Sequence, residues 1–206
     1  LMPGGQRPVR IANCPGFFGD RLSAAREMVD PSVTADSPID VLTGDWLAEL
    51  TMLILHKQRA RNADLGYAGT FLTQMEQVLG TCIDQGIKVV TNAGGHNPTR
   101  RGGWAITAAL AGGADVVVAP RVTDAAVVIG PAAWWWDWKA DDWNELAGAV
   151  VAGHVIECGA QATGGNHAWF GDIPDLTRPP GFPIAEIDRD GSCVITKHPD
   201  TGGAVT

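Results

Sequence analysis

Asp45 and Glu49 follow Gly44 at a spacing of four residues, which places two carboxylates on one face at the start of a helix. Such a pair can pass protons as acid and base or hold a divalent cation. Asp45 also suits a plain helix N-cap. The run Asn92-Ala93-Gly94-Gly95-His96-Asn97-Pro98 combines glycines that permit positive φ with amides able to polarise a carbonyl. A tight strand-to-helix turn would explain Gly94 and Gly95, but not Asn92, His96 and Asn97 together. Arg121 offers a cation for an anionic group, and Thr123 or Asp124 a helix cap. His154, Glu157 and Cys158 fall at i, i+3 and i+4, a spacing that suits metal ligation or a Cys–His pair. The apolar stripe around His154 favours a satisfied core histidine instead.

Two further segments suit anion binding. Asn13 to Arg21 reads as a strand, a glycine turn at Gly16 and Gly19, and a helix start. There backbone N–H groups and Arg21 can hold a phosphate or carboxylate. Asp20 as a cap and a solvated Arg21 is the competing reading. The loop with Gln161, Thr163, Gly164, Gly165 and Asn166 resembles a phosphate cradle but lacks a Lys-Ser/Thr ending, so it is no P-loop. The G-x-G-x-x-G dinucleotide spacing is absent as well, and the pattern names no cofactor.

These residues need a scaffold, and the chain supplies one. Four short β-branched segments, beginning at Val9, Ile39, Ile87 and Asp115, each run into a polar turn and then a stretch that can be helical. That alternation predicts an α/β fold: a mostly parallel sheet with flanking helices in Rossmann-like layers, the four turns sharing the edge at the strands' carboxyl ends. The clearest helix spans Tyr67 to Gln85 and stops at Gly86. A second is expected to start at Asp142, with Glu145 as capping-box partner, and to bury Trp143, Leu146, Ala147, Val150 and His154. Asp20 is expected to cap a helix from Arg21 to Val29. Pro183 to Ile187, Asp190-Gly191 and Cys193 to Thr196 predict a C-terminal β-hairpin appendage. The boundaries are a core over 7–166 and an extension over 167–206. The cluster Trp134-Trp135-Trp136-Asp137-Trp138 reads as packing or an oligomer contact.

Composition narrows the partners. With 206 residues, 45% hydrophobic, the chain can bury a core. A net charge of −8 without a basic run argues against nucleic acid. No uninterrupted apolar run approaches the ~18 residues of a membrane span, and no apolar leader is visible. Cys14, Cys82, Cys158 and Cys193 form no C-x-x-C pair, which suits reduced thiols. A cytoplasmic protein that meets a small molecule, with possible homo-oligomerisation, is the expectation.

Several stretches together resemble the acyclic terpene utilisation protein A family, also known as a domain of unknown function. They are Asn13 to Met28, Asp40 to Met52, Asn92 to Pro98, Gly102-Gly103-Trp104, Arg121 to Ala125 and, most specifically, Gly153 to Asn166. The resemblance implies a part in the catabolism of citronellol- and geraniol-type terpenoids, on branched acyl-CoA thioesters, as a lyase or hydratase or as a non-catalytic acyl-CoA-binding or assembly subunit. In the enzyme reading Asp45 or Glu49 moves a proton, and Asn92, Gly94 and Gly95 steady an enolate-like oxygen. Arg21 or Arg121 then holds a carboxylate or phosphate. A weaker reading is a divalent-metal enzyme using His154 and Glu157. The chain departs from the family between Pro98 and Gly102, where relatives carry several tens of residues and this chain only Thr99-Arg100-Arg101. His96 replaces a usually apolar residue, Phe18 a common Tyr, and relatives continue beyond Thr206.

Overall fold

The computed structural model describes residues 7–95 and 102–205. His96 and Asn97 therefore lie outside the described residues. Among the described residues six strands form one sheet: β1 (Val9–Asn13), β2 (Val41–Gly44), β3 (Lys88–Thr91), β4 (Val116–Val118), β5 (Pro183–Ile187) and β6 (Cys193–Lys197). The order is β4-β3-β2-β1-β5-β6. The first four strands are parallel, and the hairpin β5–β6 joins β1 antiparallel, with Val9 opposite Ile187 and Ala12 opposite Ile184. The expected hairpin is present and extends the same sheet.

The helices are α1 (Ala24–Val29), α2 (Pro31–Thr34), α3 (Glu49–Arg61), α4 (Gly69–Gln85), α5 (Gly102–Ala111), α6 (Ala126–Trp136) and α7 (Trp143–Ile156). Parallel strands covered on both faces are largely apolar on both, as β1, β2 and β3 are, whereas on the edge strand β4 Val116 and Val118 are exposed. Val9, Ile11, Val41 and Val90 pack with residues of α5, α6 and α7. Ala12, Leu42, Val89 and Ile184 pack on the other face with residues of α1 and α4 and with Trp46. In α4, Phe71, Val78 and Cys82 keep the expected apolar face, and Gly86 ends the helix at φ 71°. None of the helices among the described residues is long and apolar enough to cross a membrane.

Three local expectations are corrected, and for the tryptophan cluster the structure selects the packing alternative. The face α7 buries is Ala149, Ala152, Gly153 and Ile156, while Trp143 is 73% exposed and His154 is exposed too. Close approach is the reason. A Cβ on Gly153 would lie 2.7 Å from Ala125 Cβ, and one on Gly148 2.0 Å from the Gly191 carbonyl oxygen, so only the small-residue face can dock. Asp142 holds the N-cap position but accepts from Lys139 N instead of closing a capping box. Asp20 caps no helix: α1 begins after Ser23, and the Asp20 carboxylate takes the Gly16 N–H at 3.1 Å. Trp134, Trp135, Trp136 and Trp138 are all buried inside the chain, the indoles of Trp136 and Trp138 donating to the Ile187 and Arg189 carbonyls. The tryptophans thus pack α6 onto the hairpin and are not presented to a partner.

Candidate functional site

At the carboxyl ends of the parallel strands lies a cavity of about 180 Å³. Its polar wall is Asp45 and Glu49 beyond β2, Arg121 and Asp124 beyond β4, and Glu157, Cys158 and Gln161 at the end of α7. Three of the four turns of the sequence pattern reach it directly, the first through Gly16 and Phe17. The third contributes from beneath. Asn92 is fully buried; its amide donates to Asp45 Oδ1 at 2.5 Å, and its own oxygen accepts the Trp46 N–H at 2.7 Å.

The carboxylates that converge are Asp45, Asp124 and Glu157, with oxygen atoms within 4.8 Å of one another. Asp45 precedes α3, whose N-cap is Ala48, so the expected pairing of Asp45 with Glu49 along a helix face does not form. Glu49 sits exposed at the rim. Asp124 pairs with Arg121. Glu157 Oε2 is buried without a hydrogen-bond partner. Burial drives the Asp45 carboxyl up to about 7, opposed by the Asn92 hydrogen bond and aided by the charge of Asp124. Burial, with Asp124 again, also raises Glu157, and burial beside Glu157 raises the Cys158 thiol. Three carboxyls this close cannot all ionise freely: a proton kept near neutrality would relieve the repulsion, or Asp45, Asp124 and Glu157 would together hold a divalent cation. His154 takes no part, its ring Nδ1 lying 3.0 Å from the Val150 carbonyl one turn back on α7.

The scaffold explains the convergence. Asn13, fully buried, donates to the Ile156 and Glu157 carbonyls at 2.8 and 2.9 Å and accepts from Thr43 Oγ1. It thereby ties the end of α7 to β1 and β2. Gly16 crosses that end so closely that a Cβ would lie 2.3 Å from the Cys158 carbonyl carbon. Gly159, at φ 57°, faces Gly16 across the crossing. Sequence reasoning missed this pair, since nothing local marks two glycines 143 positions apart as neighbours.

The remaining sequence candidates have other duties. Arg21 faces away from the cavity, bonding the Glu27 carboxylate and the Pro180 carbonyl and lying 4.3 Å over the Phe182 ring. Arg21→Ala should therefore lower stability by about 1 kcal/mol and leave ligand affinity unchanged, which denaturant melts and a binding titration read separately. Gly94 N–H donates to the Ala119 carbonyl and the Gly95 carbonyl accepts from Arg121, so this glycine turn braces the β4 turn. Gly19 takes φ 106° in open space. In the cradle-like loop, the amides of Gln161, Ala162, Thr163 and Gly165 donate to carbonyls within it or to that of Cys158 beside it. The Thr163 hydroxyl bonds the Gly181 and Ala160 carbonyls. Gly164, Asn166 and Gln161 line a second cavity.

The sequence matches the family described as acyclic terpene utilisation family protein AtuA in two stretches, residues 9–101 and 100–206. The two stretches overlap at residues 100–101. No curated protein and no solved structure matches the chain. The two stretches together cover nearly the whole sequence, and the chain belongs to the acyclic terpene utilisation AtuA family.

Proposed function

We propose that this chain is an acid–base enzyme of acyclic terpene catabolism that adds or removes water, or cleaves a carbon–carbon bond, in a branched acyl thioester. The observation behind this reading is the buried Asp45 carboxyl, raised to about 7 and set against Asp124 and Glu157 on an open cavity. A group poised near neutral pH both gives and accepts protons efficiently. Asp45 is the proton donor and acceptor, and Glu157, with its unpaired oxygen, is the second carboxyl. Asn92 positions Asp45 through its amide. Among the described lining residues four acidic side chains stand against Arg121, which disfavours a bare anion beside them, so the reacting end is the uncharged thioester and its neighbouring carbons. A cytoplasmic location is part of the same proposal.

The test is a pH–rate profile on a panel of branched acyl-CoA esters. Hydration takes a proton from water at one carboxylate and returns one to the neighbouring carbon from the other, and the reverse reaction exchanges the two roles, so both directions need the singly protonated Asp45–Glu157 pair and both rates should fall as pH rises through about 7. Binding of the esters with no turnover at any pH would make the chain an acyl-CoA-binding subunit instead. Turnover that rises only with added magnesium and shows no inflection near pH 7 would assign the carboxylates to a cation.

A further inference from the structure

The reacting cavity is smaller than a whole substrate. Its volume of about 180 Å³ falls below the ~300 Å³ at which small-molecule sites begin. It accommodates a reacting end, and the rest of the molecule must lie elsewhere. A second cavity, of about 290 Å³, opens beside the same end of α7. Val155 lines it, two residues before Glu157 in the first cavity, and Gln161 belongs to both linings. The two cavities therefore lie on either side of Gln161, beyond the end of α7.

Their chemistry is opposite. The first is walled by Asp45, Glu49, Asp124 and Glu157 against Arg121. The second has no Asp, Glu, Lys or Arg among its described lining residues: Val155, Ile195 and Val205 supply its apolar wall, and Gln161, Asn166 and His167 its hydrogen-bonding groups. A hydrocarbon chain is favoured in such a place because it takes apolar surface out of water, and a charged group gains no partner there. We infer that this second cavity seats the uncharged hydrocarbon chain of the molecule whose reacting end lies at Asp45, with Gln161 as the wall the two share. The inference rests on the acid–base reading for the placement of the reacting end, but its binding test does not.

The probe is octanol, titrated into the intact chain by calorimetry, with hexanol for comparison. Wild type should bind octanol saturably and more tightly than hexanol, since each added buried CH₂ contributes up to ~0.8 kcal/mol, or about fourfold in affinity. Val155→Asp puts a charge into the neutral cavity and should weaken octanol at least tenfold. Val151→Asp, at a position 58% exposed one turn earlier and outside the lining, should change affinity less than twofold. Asp45→Asn should also leave octanol affinity intact. No saturable binding by wild type, or equal loss in the Val155 and Val151 variants, would overturn the inference. Loss of the pH inflection with these affinities unchanged would instead remove only the acid–base reading.

Discussion

Asp45→Asn should abolish turnover and yet make the protein more stable at about pH 8. Removing a general acid or base costs about 10²–10⁴ in rate, and Asn can neither give nor take the proton. The stability gain follows from linkage. The folded-state carboxyl, raised to about 7, holds a proton that the unfolded chain releases near the ordinary value of 3.8. Between those values the native state binds more protons than the unfolded one, so the Asp45 contribution declines as pH rises towards 7 and stays low above it. Three units correspond to on the order of 4 kcal/mol, and a neutral amide escapes the whole decline. Asn can still accept from Asn92 and can donate to Asp124 or Glu157. Wild type should therefore lose stability relative to the variant between about pH 4 and pH 7 in denaturant melts and stay below it at higher pH. A variant less stable than wild type at the higher pH would mean that Asp45 is ionised and held by a counter-charge, which removes it as the proton donor.

Gly16→Ala should separate the two halves of the site. The added methyl would stand 2.3 Å from the Cys158 carbonyl carbon and 2.5 Å from Gly159 N, all backbone atoms with no side-chain end to yield. The end of α7 must shift, carrying Glu157 away from Asp45 and straining both Asn13 hydrogen bonds to the Ile156 and Glu157 carbonyls. Overpacking of this kind costs about 1–3 kcal/mol, with more expected where only backbone can move. Turnover should fall at least tenfold. Gly19→Ala is the control: that glycine has φ 106° but no neighbour within 4 Å, so the cost is backbone strain of about 1 kcal/mol with activity retained. Equal activity in the two variants would show that the Gly16–Gly159 crossing does not set the position of Glu157.

The alternation of β-branched segments and polar turns was sufficient for the layered sheet, because strand and helix periodicities are local and the short connections permit few topologies. Cys193 to Thr196 and the Asp190-Gly191 turn were equally legible as a hairpin. The face α7 would bury was not: amphipathic reasoning favoured Trp143 and Val150, whereas contact with Ala125 and Gly191 selects the helix side with the smallest residues. Asp45, Arg121, Asp124 and Glu157 were each visible as residues able to do chemistry. Their partnership was not, since Asp45 paired on paper with Glu49, four positions away, and Glu157 with His154, three away.

The sequence by itself determined the elements, their order and the sheet edge at which polar turns collect, since backbone propensity and hydrophobic period act over a few residues. Only the tertiary structure decided that carboxylates at positions 45, 124 and 157 share one space, that Asn13 and Asn92 hold them there, and that burial lifts Asp45 towards neutrality. Convergence and desolvation depend on which distant segments exclude water together, and no local pattern in the chain encodes that.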